Sequence, residues 1–139
     1  MIEGSCCCGA VQFELLKKPE LMVTCHCSRC RKVGASTFVL VAKDSFRLLK
    51  GDEDVATFEA SPPYKYNRTF CRVCGTALGE IGSGEDMFPV AAHCLDGDPE
   101  VRNSLHEFVS EKPAWLEICD EAPRYDRHPP APEGPGSDG

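Results

Sequence analysis

Seven of the ten cysteines of this chain fall into three short clusters. In chain order they are Cys6 and Cys8, then Cys25, Cys27 and Cys30, then Cys71 and Cys74. Thiolates at such spacings converge on zinc, and a site of four thiolates is closed and structural. A site of three thiolates leaves a coordination position for water or substrate. The clusters therefore predict two zinc ions per chain, one structural and one that could support chemistry.

The seven thiols can be divided between two ions in two ways. The last cluster, in the knuckle FCRVCG, supplies only two ligands. Pairing it with Cys27 and Cys30 gives a zinc ribbon with an unusually long gap and three thiols unexplained. Pairing it with the first cluster uses all seven thiols and ties two distant segments together, so that metal binding contributes to folding. We favour this second division, into a four-cysteine group (Cys6, Cys8, Cys71, Cys74) and a trio (Cys25, Cys27, Cys30).

The trio has the electrostatics of a reactive site. Four thiolates give a divalent ion a net charge of about -2, whereas three give about -1, so the trio keeps more Lewis acidity. The same segment also carries Arg29, Arg31 and Lys32. They could attract an anionic ligand, or they could simply form a solvated turn. The sequence leaves both interpretations open.

The bulk properties limit the partners. A chain of 139 residues fits one domain, and a net charge of -7 argues against binding to nucleic acid. The N-terminus has no signal-peptide pattern, and no apolar run reaches the length of a membrane span. We expect a cytoplasmic protein with no membrane partner. In a reducing cytosol, clustered thiols more often bind metal than form disulfides.

Short apolar runs bounded by Gly, Pro, Asp and Ser must position these cysteines. They predict a mainly β fold, a single small zinc-bound domain of antiparallel sheets with short helical turns. The domain is predicted over residues 1–127, and a Pro/Gly-rich flexible tail over residues 128–139. Helical turns are predicted over residues 28–33 and near residues 99–104. The predicted strands are residues 11–15, 21–25, 37–42, 46–49, 54–58, 65–70, 77–81, 88–94, 106–109 and 115–118.

Taken together, these segments resemble the glutathione-dependent formaldehyde-activating enzyme family, also called S-(hydroxymethyl)glutathione synthase-like, which includes centromere protein V. The resemblance rests on GSCCCGAVQFE, CHCSRCRKVG, RTFCRVCGTAL, LDGDPE and HEFVSEKPAW, in this order. It implies a mainly β fold, a structural zinc on the four-cysteine group and a catalytic zinc on the trio. The trio residues Cys25, Cys27 and Cys30 would act as ligands of the open site.

The resemblance also implies an activity, the condensation of formaldehyde with glutathione, which is a carbon-sulfur lyase reaction in reverse. Such a site suits the chemistry, because a zinc-bound thiol loses its proton near neutral pH. Arg68 could then bind a carboxylate of glutathione, or it could form a salt bridge on a β surface. The alternative function is a noncatalytic zinc-binding module for a small thiol or a protein partner. A thiol redox protein is disfavoured, because no βαβ pattern surrounds the CxxC pairs.

Five other residues bear on the open site. His93 and Cys94 stand where family members often have small residues, and either could close the fourth position of the trio; alternatively, both lie in a buried strand. His26 is expected outside the ligand set, because its neighbours Cys25 and Cys27 should point the other way. His106 is expected in the core or at a strand edge, with a role in substrate contact as the alternative. Trp115 is expected in the core, although an aromatic ring beside a cleft could also pack on a peptide ligand.

Overall fold

Ten short strands and one α-helix make up the part of the chain described by a computed structural model, residues 1–64 and 66–129. The prediction of a mainly β fold is confirmed. The helix α1 spans Ser28–Val33. The strands are β1 (Ile2–Ser5), β2 (Gln12–Leu15), β3 (Met22–Cys25), β4 (Thr37–Ala42), β5 (Phe46–Lys50), β6 (Val55–Phe58), β7 (Arg68–Cys71), β8 (Ala77–Gly79), β9 (Met87–Ala91) and β10 (Leu105–Glu107).

The strands form two sheets. One has three antiparallel strands in the order β1-β2-β5, and the other has seven in the order β10-β3-β4-β9-β8-β7-β6. The larger sheet is antiparallel except at its edge, where β10 runs parallel to β3. An aromatic contact joins the sheets: Phe46 of β5 lies 5.3 Å from Phe88 of β9, centroid to centroid, and it also stacks 5.3 Å from Phe13 of β2 in its own sheet. This buried contact holds the small sheet against the large one.

The helical turn predicted over residues 28–33 is confirmed as α1. Cys27 caps its start, because the Cys27 Sγ accepts a hydrogen bond from the backbone N of Cys30 at 3.3 Å. Gly34 ends it with a φ of 97°, a left-handed conformation that glycine adopts without strain. The trio therefore lies at the junction where β3 becomes α1.

Two predicted elements are wrong. Residues 115–118 form no strand, because the backbone N of Leu116 bonds to Pro113 O at 3.1 Å and makes a turn. Trp115, predicted in the core, is 75% exposed. Residues 99–104 form no helical turn, since the backbone N of Ser104 instead donates to Met22 O of β3 at 2.7 Å.

The first strand was missed by the sequence analysis. In β1 the inward positions are Ile2 and Gly4, and a glycine at an inward position hides the apolar alternation. Gly4 is required there, because a Cβ at this position would lie 2.3 Å from the Phe13 ring.

The end of the described chain returns along β10. The backbone N of His106 donates to Pro123 O at 2.8 Å, and Phe108 N donates to Arg127 O at 3.1 Å. The His128 ring lies 4.8 Å from that of Phe108. Most of the predicted tail, residues 130–139, lies outside the described residues, so the domain boundary at 127 stays a prediction. Within the described residues, no helix is long and apolar enough to cross a membrane.

Candidate metal centres

The four-cysteine group comes together where β1 and β7 end. All four Sγ atoms lie within 4.8 Å of one another. The Sγ atoms of Cys6 and Cys8 are 3.6 Å apart, and those of Cys8 and Cys71 are 3.9 Å apart. Four sulfurs on a tetrahedral zinc, with Zn–S bonds of about 2.3 Å, would be about 3.8 Å apart. The donor set and its spacing therefore fit a closed zinc site.

Local backbone geometry builds this group. Gly75, directly after the knuckle, has a φ of 82°, and its N–H bonds to Cys71 O at 2.7 Å. The backbone N of Val11 donates to the Cys6 Sγ at 3.3 Å. Hydrogen bonds from the hydroxyl and backbone of Thr76 lower the pKa of Cys74 to about 5. These donors favour thiolates, the form that binds metal.

The trio forms a second, separate group. Its three Sγ atoms also lie within 4.8 Å of one another, and no further Cys, His, Asp or Glu of the described residues joins them. Unlike the four-cysteine group, the trio is buried throughout: Cys25 and Cys30 are 0% exposed and Cys27 is 1% exposed. The described side chains thus offer three ligands and no fourth. This grouping agrees with the division of seven thiols into four and three rather than with a zinc ribbon.

Two backbone bonds fix the loop that carries the trio. Cys25 N donates to Ser36 O at 2.8 Å, and His26 N donates to Glu107 O of β10 at 2.9 Å. Hydrogen bonds with Cys25 and Cys30 lower the pKa of Cys27, while hydrogen bonds with Cys27 and Cys30, together with burial, raise the pKa of Cys25. Cysteine binds metal as the thiolate, so an ion that binds the trio must displace the protons that its thiols carry.

Two arginines border the trio. Arg68, on β7, is 1% exposed, its Nη2 donates to the Cys30 Sγ at 3.0 Å, and its guanidinium lies 4.7 Å from the centre of the Phe38 ring. Arg29 donates from Nη1 to Tyr66 O at 2.9 Å and stacks 4.1 Å above the Tyr64 ring. Burial and the nearby Arg68 charge lower the pKa of Arg29. Arg68 is thus buried against a trio sulfur rather than lying on a β surface.

The other two predicted cations lie elsewhere on α1. Arg31 and Lys32 are exposed, and Arg31 lines a cavity whose lining does not include the trio. Their part in binding an anionic ligand stays a prediction.

His93 and Cys94, which could have supplied a fourth ligand to the trio, lie apart from it. Cys94 donates from Sγ to Ala77 O at 2.9 Å, and burial raises the pKa of Cys94 to about 12. His93 is exposed. Both belong to a 3₁₀ turn, Ala92–Cys94, so the strand predicted over residues 88–94 ends at Ala91. Neither joins the group of sulfurs around Cys25.

A cavity of about 420 Å³ lies beside the segment that carries the trio, and a chain of hydrogen-bonded polar side chains borders this cavity. His26 Nε2 is 2.8 Å from His106 Nδ1, and His106 Nε2 is 2.9 Å from the carboxylate of Asp120. The hydrogen bond from His106 lowers the pKa of Asp120. His26 and His106 are both buried, and Trp115 borders the same cavity. Sequence reasoning missed Asp120, because the residues before it, 115–118, were predicted as a strand and are irregular in the structure.

Comparison with known proteins identifies the family. The model of the glutathione-dependent formaldehyde-activating enzyme family matches residues 1–111. This chain belongs to that family. A Halomonas elongata protein, provisionally named as a glutathione-dependent formaldehyde-activating enzyme, is 31% identical over 133 residues, which is 85% of this chain and 81% of the relative.

The fold has a counterpart among solved structures. A crystal structure of a Rhodobacter sphaeroides protein matches with a TM-score of 0.57 and 28% identity, over 69% of this chain and 89% of that one. The region matched by the formaldehyde-activating enzyme family, residues 1–111, contains both cysteine groups, Arg29 and Arg68. Residues between 113 and 120, which form one wall of the 420 Å³ cavity, lie beyond the matched region.

Proposed function

We propose that this family member is a zinc-dependent carbon-sulfur lyase that acts on glutathione adducts. Its reaction would be the condensation of formaldehyde with glutathione to S-hydroxymethylglutathione, or the same chemistry on a related thiol conjugate. One observation supports the proposal above all: three buried thiols converge without a fourth ligand among the described side chains. A site of this kind keeps a position for the substrate.

In this proposal, the chain's own residues hold and surround the reacting groups. Cys25, Cys27 and Cys30 would hold the ion, and a bound zinc would act as a Lewis acid that favours the thiolate form of glutathione. Arg68 stabilises the negative charge on Cys30 through its hydrogen bond. Arg29 adds a second positive charge beside the trio. The burial of the three sulfurs excludes water, which strengthens each of these interactions.

The four-cysteine group has a structural role in this proposal. It would hold a closed zinc site that joins β1 to β7, 63 residues apart at the pair Cys8 and Cys71. Glutathione is the proposed small-molecule partner, as the family description indicates. A cytoplasmic location, with neither nucleic acid nor membrane as a partner, belongs to the same proposal and is supported by the net charge of -7.

A noncatalytic zinc-binding module is the second candidate. The observation that favours it is the burial of the trio, whose sulfurs have no more than 1% exposure. A substrate must reach them past the surrounding side chains, and a purely structural second ion needs no such access.

The two candidates differ in the rate of adduct formation. The spontaneous reaction of glutathione with formaldehyde can be followed by NMR exchange spectroscopy, with and without the zinc-loaded protein. We expect the protein to accelerate exchange and the Cys27→Ser variant to lose the acceleration. Cys119→Ser is the matched control, because Cys119 is exposed and belongs to neither cysteine group. A wild-type protein that holds two zinc ions but gives no acceleration would support the noncatalytic module.

A further inference from the structure

The backbone around Cys27 lies between two elements. Strand β3 ends at Cys25 and helix α1 begins at Ser28, so His26 and Cys27 belong to neither. The first N–H groups of a helix have no acceptor within the helix. The position of Cys27, the middle ligand of the trio, therefore depends on acceptors from another part of the chain.

One segment supplies acceptors on both sides of Cys27. The backbone N of His26 donates to Glu107 O at 2.9 Å, and the backbone N of Ser28 donates to the Glu111 side chain, at Oε1, also at 2.9 Å. The two N–H groups that flank Cys27 are thus held by the end of β10 and the turn that follows it. The contact between Ser28 and Glu111 spans 83 residues of sequence.

The segment that carries Glu111 is itself held in place. Glu111 ends a 3₁₀ turn, Val109–Glu111, and Phe108 connects this turn to β10 with a φ of 54°. A non-glycine residue keeps this left-handed conformation only where its surroundings hold it. Val109 N donates to Tyr125 O at 3.0 Å, and Glu111 N donates to Phe108 O at 3.0 Å. The Glu111 carboxylate is therefore presented from a fixed backbone.

The start of α1 needs this carboxylate because its own cap has a second task. Cys27 is the N-cap residue, and its Sγ accepts a hydrogen bond from Cys30 N. The same sulfur belongs to the trio. The first turn of α1 contains no acidic residue, although a negative side chain is favourable at a helix N-terminus. Glu111 supplies that charge from the distant segment.

We propose that Glu111 is a positioning residue for the trio: by accepting the Ser28 N–H, it holds Cys27 in the geometry that binds the ion. The inference rests on the proposed function in one respect, that an ion binds the trio. It adds to the site a side chain from outside the three cysteine clusters.

Variants of Glu111 test the role in the zinc-loaded protein, by competition with a chromophoric chelator. Glu111→Ala should weaken zinc binding at the trio by about 10- to 100-fold, the range for residues that orient metal ligands, and leave the four-cysteine group unchanged. Glu111→Gln keeps an acceptor oxygen and should restore most of the affinity. Glu117→Ala is the matched control, since Glu117 is an exposed carboxylate of the neighbouring segment. An unchanged trio, or equal weakening at both sites, would overturn the proposal.

Ser28→Pro removes the donor instead of the acceptor. Ser28 is the first helical position, where proline fits, and Cys27 before it has the extended conformation that proline requires, with a φ of -62° and a ψ of 154°. This variant should weaken the trio as much as Glu111→Ala does. The double variant should be no weaker than either single one, because both changes remove the same hydrogen bond. Losses that add in free energy would contradict a role through this bond.

Amide hydrogen exchange separates this inference from the proposed function. In Glu111→Ala the Ser28 N–H should exchange about 10-fold faster than in the wild-type protein, the ratio expected for the loss of one hydrogen bond. If exchange at Ser28 is unchanged, the positioning role is wrong however many ions the protein holds. A protein that holds two zinc ions but does not accelerate adduct formation lacks the proposed activity. The loss of trio affinity in Glu111→Ala would still support the positioning role in that case.

Discussion

The two cysteine groups use the same ligand chemistry in opposite surroundings. In the four-cysteine group, Cys8 and Cys74 are exposed, and the donors to its sulfurs come from the neighbouring turns. In the trio every sulfur is buried, and the donors include the charged side chain of Arg68. A complete ligand set needs no outside partner and can lie at the surface. An incomplete one, placed among fixed positive charges, is built to receive a ligand.

Removing one ligand from each group gives the largest expected difference. Cys71→Ser breaks the group that joins β1 to β7, and structural zinc sites contribute about 10 kcal/mol or more to folding. We therefore expect this variant to be largely unfolded. Cys27→Ser should stay folded and lose only the trio ion, because β3, β4 and β10 still pair around it.

Circular dichroism and elemental analysis check this contrast. Wild-type protein should hold about two zinc ions per chain, and Cys27→Ser about one with a preserved thermal transition. If Cys27→Ser unfolds as Cys71→Ser does, both groups are structural, and the contrast between them is wrong.

Arg68 gives the next largest effect. Arg68→Met keeps most of the side-chain volume but removes the hydrogen bond to Cys30, and changes of this kind around metal ligands cost about 10- to 100-fold in metal affinity. The loss should fall on the trio alone. Competition with a chromophoric chelator would resolve the two sites, with Arg72→Met as the control, since the Arg72 side chain is exposed and its ion pair is with Asp54. Equal weakening at both sites would show that Arg68 acts through general stability instead.

The order in which the cysteines are alkylated gives the smallest expected effect, and it compares the two groups residue by residue. After chelation, iodoacetamide should modify the exposed Cys8 and Cys74 before any trio cysteine, because burial limits access to the trio. Cys94 should react last of the non-ligand cysteines: burial raises its pKa to about 12, so it stays a protonated thiol at any lower pH. Mass spectrometry of timed digests measures the order. Early modification of Cys94 would contradict its placement in the core.

The sequence alone predicts most of the strands and the helix that local residue patterns determine. The apolar alternation of residues 11–15 predicted the strand β2, and the helical turn predicted over residues 28–33 is α1. The failures came where tertiary contacts decide. Gly4 conceals β1 because its inward position is filled by the Phe13 ring, and the run at Trp115 is apolar yet forms an exposed turn.

The candidate site was also predictable only in part, where local spacing determines it. Spacing was enough to favour the grouping of the seven cysteines, because metal ligands must converge. It could not separate Arg29 from Arg31, since both are cations of the trio segment and only the packing against Tyr64 distinguishes Arg29. It could not bring Arg68 to the trio either, because 38 residues separate Arg68 from Cys30. The contact of Asp120 with His106 depends on the path of residues 115–118, where the sequence predicted a strand and the structure has an irregular segment.

Native mass spectrometry tests the central claim most directly, that the trio holds a second metal ion and keeps a position for a thiol. The account predicts two zinc ions per wild-type chain and one additional bound glutathione, with both the second zinc and the glutathione absent from Cys27→Ser. A wild-type chain with one zinc ion, no bound thiol and freely alkylated Cys25, Cys27 and Cys30 would contradict it.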